Sequence, residues 1–221
     1  MRRVALLLIL FVFSVLAESW FCHSDLGNDA WSGAEMDSAK ASFGGAIAEA
    51  SSGDTIFACG RSFDEQVNTS TPLTICAWPD SARWSLTYDS TGYAIEGPFR
   101  LHDGCIQGLN AARLTGDYHY IDCCSLIASQ YYILYLSGGS SCSLSYVYTE
   151  GTAGDILFIY RTPFIFIGEG CNLTKSSTSS TYGLRWSSQN VPLTLQSQPE
   201  ASSARLRYWK SSSQNSIWFT P

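Results

Sequence analysis

The stretch GGAIAEASSGDTIFACGRSFDEQV, Gly44 to Val67, changes its periodicity midway. Phe43, Ile47 and Ala50 stand at i, i+4 and i+7, which puts them on one face of a helix. Gly53-Asp54 breaks that spacing, and Thr55-Ile56-Phe57 opens a β-rich run. The pattern predicts a helix over about Asp37 to Ser51. Gly44 and Gly45 weaken it by roughly 1 kcal/mol each relative to Ala, so packing against something flat has to hold it. It reads as a cap on the end of a structure made of strands.

Downstream of Val67 no second helical pattern of any strength follows. Short apolar runs alternate with polar turns instead: LTICAW, WSLTY, YHYIDCCSLIA, YYILYLS, CSLSYVY, ILFIY, FIFIG and ARLRYW among them. Runs this short and this regularly spaced mean a sandwich or a solenoid. Repetition favours the solenoid. Cys-x-(Ile/Leu) recurs at Cys124-Ser125-Leu126, Cys142-Ser143-Leu144 and Cys171-Asn172-Leu173, with a slipped copy at Cys105-Ile106. The intervals suit one coil each, the last coil carrying a longer loop.

Upstream, Arg2 and Arg3 precede an uncharged, mostly apolar run from Val4 to Ala17, with Val15-Leu16-Ala17 offering a small residue for cleavage. This is the pattern of a secretory signal peptide over residues 1–17 and predicts a secreted or cell-surface protein. A bilayer span needs about 20 apolar residues. The best later run, Ile156 to Ile167, is broken by Arg161 and Pro163, so no membrane span is expected in the mature chain. A single domain over 18–221 is predicted, with the strand and helical cap over 18–60 and coils over 61–221. The chain ends on the apolar Ile217-Trp218-Phe219-Thr220-Pro221. That predicts a truncated chain, or self-association through an uncovered C-terminal coil.

A net charge of −6 argues against nucleic acid as a partner. Only 14% of residues are charged, while the chain holds 7 Trp and 12 Tyr, a composition of strands and polar turns. With no C-x-x-C pair, and with His23, His102 and His119 scattered, a Cys/His metal centre is not expected. Cys105, Cys124, Cys142 and Cys171 are read as a buried ladder of free thiols stacked coil upon coil, in preference to disulfides. Cys22 and Cys59 flank the helix and are the expected disulfide, the exported context permitting one. Asn68-Thr69-Ser70 and Asn172-Leu173-Thr174 are acceptor sequences for N-linked glycans in a eukaryotic host.

The opening segment resembles the N-terminal cap of pectin-lyase-like, right-handed parallel β-helix proteins. Gly27-Asn28-Asp29 with Gly33 is similar to that family's first loop, Ala46-Ile47-Ala48-Glu49-Ala50 to its capping helix, and Gly53-Asp54-Thr55-Ile56 to the turn into its first coil. Gly60, Phe63, Glu65 and Val67 fit its next segment with one extra residue, although Cys59 stands where a Pro is usual. The resemblance covers about Trp20 to Trp78. It implies an all-β fold, a right-handed parallel β-helix with an N-terminal capping helix.

That fold hosts lyases, hydrolases, esterases and non-catalytic surface proteins, so the function must come from the site. The esterase segment Asp-Phe-Ile-Phe-Gly is reduced here to Ile165-Phe166-Ile167-Gly168, and the Asn-Thr-Asp, Asp-Asp and Gly-His-Gly motifs of polygalacturonases are missing. A lyase would need carboxylates on neighbouring coils around Ca²⁺ and a basic residue. Asp103, Asp122 and Glu169 are the candidates, with Arg100, Arg113 and Arg161 nearby. As turn residues these acids are better explained by capping backbone N–H groups and facing water. Isolated histidines such as His102 and His119 are commonest at surfaces, and most of the aromatics read as core or inter-coil stacks. Trp31, in the Gly-rich loop, is the aromatic expected to be exposed, a platform for a sugar. Asp54 and Glu65 are expected to fix turns. The leading expectation is a secreted, non-catalytic β-helix that binds polysaccharide or cell-surface glycans. The alternative is a polysaccharide lyase acting on acidic polysaccharide, with Ca²⁺ as its cofactor.

Overall fold

The computed structural model describes residues 17–60, 62–78, 83–151, 155–160, 162, 164–168, 171–173, 184–187, 193–197 and 217–220. An outer strand β1 (Ser19–His23) precedes the one α-helix among them, α1 (Phe43–Glu49). Coils then follow: β2 (Thr55–Cys59), β3 (Phe63–Asp64) and β4 (Val67–Asn68); β5 (Leu73–Ala77) and the long β6 (Trp84–Gly97); β7 (Phe99–His102) and the long β8 (Gly104–Thr115). Next come β9 (Tyr118–Asp122), β10 (Ser125–Ala128) and β11 (Tyr132–Ser137), then β12 (Ser141–Ser145), β13 (Tyr148–Gly151) and β14 (Asp155–Tyr160). The last are β15 (Phe164–Ile167), β16 (Asn172–Leu173), β17 (Leu184–Ser187), β18 (Leu193–Ser197) and β19 (Ile217–Thr220).

Every pairing between these strands is parallel, and they stack into three faces. Face A runs β1-β2-β5-β7-β9-β12-β15-β18-β19. Face B joins β3, the first half of β6, the first half of β8, β10, β13 and β16. Face C joins β4 to the second halves of β6 and β8, then to β11, β14 and β17. The expected all-β class holds, as a parallel β-helix.

Register makes ladders of the inward side chains. On face A, Ile56, Ile75, Leu101, Ile121, Leu144 and Ile167 align rung on rung. On face B the inward column is Phe63, Leu86, Ile106, Leu126 and Thr149, and on face C it is Val67, Ile95, Ala112, Leu134 and Leu157. All of these are buried. Each fully buried aliphatic contributes about 1.5–3 kcal/mol, and one hydrophobic core joins the described coils from Cys22 to Cys171.

The helix is shorter than the sequence pattern predicts. A 3₁₀ turn at Met36–Ser38 comes first, and Lys40 then pairs in extended form with Cys22. Ser42 caps α1 by accepting a hydrogen bond from Gly45 N at 2.9 Å. The Asp29 carboxylate takes the Ala41 and Ser42 N–H groups at 2.8 and 3.0 Å, and Glu65 takes those of Phe43 and Gly44 at 2.7 and 3.1 Å. Gly45 is required here, because a Cβ would fall 2.3 Å from Asp29 Oδ1. Buried Lys40 ties the cap together through the Asp29 carbonyl (3.1 Å) and Glu49 (3.3 Å). Phe43 packs at 4.5 Å from Phe63 and 5.5 Å from Trp84, so the helix covers the apolar end of the stack.

From β7 onward to β13 the bend between faces A and B is one or two residues long. Asp103, Cys123 and Tyr146 occupy it in successive coils, all left-handed, with φ of 55°, 51° and 49°. Such a conformation costs a non-Gly residue roughly 1–2 kcal/mol. Coil-to-coil hydrogen bonds offset it: Asp103 N donates to the Asp122 carbonyl and Cys123 N to that of Ser145, each at 3.1 Å.

The cysteines depart from the expectation. All eight are free. Cys22 stands opposite Ala58 and Cys59 opposite His23, and the Cys59 thiol turns to the Met36 sulfur at 3.8 Å, so these two form no disulfide. Burial pushes the Cys59 thiol up to about 11 and that of Cys22 well above its ordinary value. The four-thiol ladder is also not formed. Cys124 and Cys171 share an inward column with Val147 between them, Cys105 is half-exposed one position further on, and Cys142 belongs to face A. The same Cys-Ser-Leu pattern recurs on different faces because alternation gives every wall the same in-out rhythm.

His119 is the other departure. It is not at the surface but 3% exposed, in an inward column of face A with Phe99 and Cys142 as its rung neighbours. Neither ring nitrogen is in hydrogen-bonding geometry, although the Gly138 carbonyl lies close. Burial holds its pKa below the ordinary value, with Gly138 and the Asp117 charge opposing. A histidine lowered in this way supports the fold fully above its unfolded value, about 6.5, and that support is lost as pH falls below it. Urea midpoints should therefore drop on acidification from pH 7.5 to 5, and His119→Leu should flatten that part of the profile. At the N-terminal end, buried Asp54 accepts hydrogen bonds from Glu18 N, Ser51 N and Trp20 Nε1 at 2.8, 2.8 and 2.9 Å. Burial would raise its carboxyl, but these donors outweigh it and hold the pKa below the usual range. Asp54→Ala should cost about 2–3 kcal/mol in urea unfolding at pH 7.

Candidate functional site

Face C carries an outward row that begins at the strand irregularity in β6. The register of β6 against β8 shifts between Tyr88 and Tyr93, and the residues between them leave the ladder at Gly92, where φ is 112°. Asn110 closes this corner. Its buried amide donates to the Gly92 carbonyl at 2.9 Å and accepts from Tyr132 N at 3.1 Å, which ties three coils together. Tyr93 and Tyr132 are thereby placed on either side of it.

Beyond this corner the register aligns Asn68, Glu96, Arg113, Tyr135 and Phe158 in one column. Val67, Ile95, Ala112, Leu134 and Leu157 occupy the inward positions, so period-two alternation turns the column outward. Tyr135 stacks on Phe158 at 4.8 Å, and Tyr132 stands at 76° to Tyr135 with centroids 5.6 Å apart. Tyr93 lies nearly parallel to Tyr132 at 6.5 Å and 5.9 Å from Tyr135. The three tyrosines are half-buried, and Phe158 is buried. Tyr131, 61% exposed, adjoins it in sequence.

A charge pair flanks the rings. Arg113 Nη1 donates to Glu96 Oε1 at 2.9 Å, and its guanidinium carbon lies 5.3 Å from the Tyr135 centroid, a cation–π contact. The Arg113 side chain remains 37% exposed. Burial raises the Tyr93 and Tyr135 hydroxyls while Arg113 opposes, so both stay neutral phenols able to donate hydrogen bonds.

The residues singled out for lyase chemistry are arranged differently. Asp122 aligns with His102, their nearest atoms 3.8 Å apart, whereas Asp103 aligns with Cys123 at the left-handed bend. The two carboxylates thus occupy neighbouring columns rather than one. Arg113 pairs with Glu96 instead of with either, and Arg161 and Glu169 lie outside the described residues. Among the described residues no group of three or more His, Cys, Asp or Glu is placed to hold a metal ion. Trp31 is 43% exposed on its loop. A second outward aromatic group, Phe21, Phe57 and Trp78, sits on face A near the cap, with Phe21 and Phe57 stacked at 5.5 Å. Asn68 is exposed; Asn172 opens β16 opposite Tyr148, and Thr174 of its acceptor sequence lies outside the described residues.

Comparison with protein-family models, with curated proteins and with solved structures finds no match in any of the three. The geometry has to carry the functional reading. Tyr93, Tyr132, Tyr135 and Phe158 fall among the aromatics expected as core or inter-coil stacks, and they do stack between coils, Tyr93 on Tyr132 and Tyr135 on Phe158. What marks Tyr135 as outward is the phase of YILYLS, with Leu134 and Leu136 inward. Asn110→Ala should lower stability by about 1–3 kcal/mol, the cost of stranding the Gly92 carbonyl and Tyr132 N–H. It should also loosen Tyr132, readable as faster amide exchange at that residue.

Proposed function

We propose that this chain is a secreted, non-catalytic β-helix of the pectin-lyase-like kind that holds glycan chains on its outer face C. The observation that carries the reading is the half-buried Tyr93–Tyr132–Tyr135 group on face C, packed against buried Phe158, with Arg113 and Glu96 beside it. Apolar sugar faces pack on aromatic rings, and sugar hydroxyls pair with phenols, carboxylates and guanidinium groups. Rungs recur about every 4.8 Å along the stack, so successive coils present contacts to successive parts of an extended ligand. The Val4–Ala17 leader pattern supports secretion.

The favoured ligand is neutral or mixed in charge. Arg113 is already paired with Glu96, and the chain's net charge of −6 repels polyuronates. Mature protein produced without N-linked glycans and passed over immobilised neutral and acidic polysaccharides, with and without Ca²⁺, should be retained on a neutral member without chain cleavage. Tyr132→Ala with Tyr135→Ala should weaken retention by about tenfold, or 1.4 kcal/mol, while leaving the circular dichroism spectrum unchanged. Undiminished retention by the double variant would move the site elsewhere, with Trp31 the next residue to replace. Ca²⁺-dependent cleavage would overturn the non-catalytic reading.

A further inference from the structure

We propose that Asn68 carries an N-linked glycan, and that this glycan folds back along the Glu96–Arg113–Tyr135 column and occupies the aromatic row of its own chain. The inference rests on the reading of that row as a glycan-binding face and adds its regulation. Asn68-Thr69-Ser70 is an acceptor sequence with no proline at its central position. The structure places it well for modification. Asn68 is an exposed, outward residue at the end of β4, where the chain passes from strand to bend. Backbone hydrogen bonds hold the segment in place: Thr69 N donates to the Glu96 carbonyl at 3.1 Å, and Thr71 N to the Thr69 hydroxyl at 3.0 Å.

Position then decides where the glycan lies. Asn68 aligns with Glu96, Glu96 with Arg113, and Arg113 with Tyr135. At about 4.8 Å per rung, Tyr135 is three rungs away, roughly 14 Å along the face. A glycan of a few sugars spans that distance. Because it is covalently attached, its effective concentration at the row is high, and contacts too weak to hold a free sugar suffice. The intact glycan would keep the face closed, and trimming would open it to polysaccharide.

Attachment needs a donor from the secretory machinery, an oligosaccharide linked to a membrane lipid through diphosphate. Nδ2 of Asn68 forms a bond to the anomeric carbon of the first sugar as the bond from that carbon to the diphosphate oxygen breaks. The electron pair leaves with the lipid diphosphate, and Nδ2 loses one proton.

The test uses the full chain secreted from eukaryotic cells. Mass spectrometry of the peptide containing Asn68 reads occupancy. Hydroxyl-radical labelling of Tyr132 and Tyr135 is then compared before and after endoglycosidase trimming to the first sugar, and in Ser70→Ala, which removes the acceptor sequence without touching Asn68. Occupancy is expected, with labelling of both tyrosines rising severalfold on trimming and in Ser70→Ala, and with exposed Tyr118 and Tyr146 unchanged. An unmodified Asn68 overturns the proposal, and so does a modified Asn68 with equal labelling in all three forms. Retention of Ser70→Ala on polysaccharide is read separately. If retention is absent while the labelling change is present, the ligand-binding reading falls and the occupancy of the row by its own glycan stands.

Discussion

Parallel register between successive coils is the constraint on which the rest of this molecule depends. Once Ile75 is opposite Leu101 and Leu101 opposite Ile121, every residue of those strands has its direction set, inward or outward, and its rung neighbours chosen. A slip of one residue would exchange the buried ladder for the surface. Three kinds of contact hold the register. The inward ladders supply burial, the left-handed bends at Asp103 and Cys123 bond coil to coil, and the Asn110 amide spans three coils at the corner between faces B and C.

A solenoid also has ends, and the N-terminal one shows how the problem is met. The first coil would present apolar side chains and unpaired strand groups to water. α1 is too short, and too rich in glycine, to be stable alone. It persists because Asp29 and Glu65 satisfy four backbone N–H groups around its start and because Phe43 reaches the core between Phe63 and Trp84. Gly45, a cost in helix propensity, is what lets the Asp29 carboxylate approach.

The polar groups that the core encloses follow two patterns. Asp54 is buried with three donors around it, and its charge is favoured there. His119 is buried with no hydrogen bond at either ring nitrogen, between the aromatic Phe99 and the thiol of Cys142, and its neutral form is favoured. One group anchors the fold through charge and the other tolerates burial only without it. Outside, the Glu96–Arg113 pair and the tyrosines of face C are built from the same rungs, so the exposed row inherits the rigidity of the core beneath it.

The sequence alone determined the class of fold and a capping helix near its start. These are local in origin: period-two runs and a helical spacing broken by Gly53-Asp54. It did not determine which residues share a column. Cys-Ser-Leu reads the same on face A as at the start of face B, so Cys124 and Cys142 looked equivalent and are not. Cys22 and Cys59 looked like a bridge across the helix until register set each opposite another residue. The burial of His119 was beyond local pattern. It depends on where the short bends turn the chain, and only the stacked coils decide that, because the backbone hydrogen bonds at the Asp103 and Cys123 bends come from the next coil.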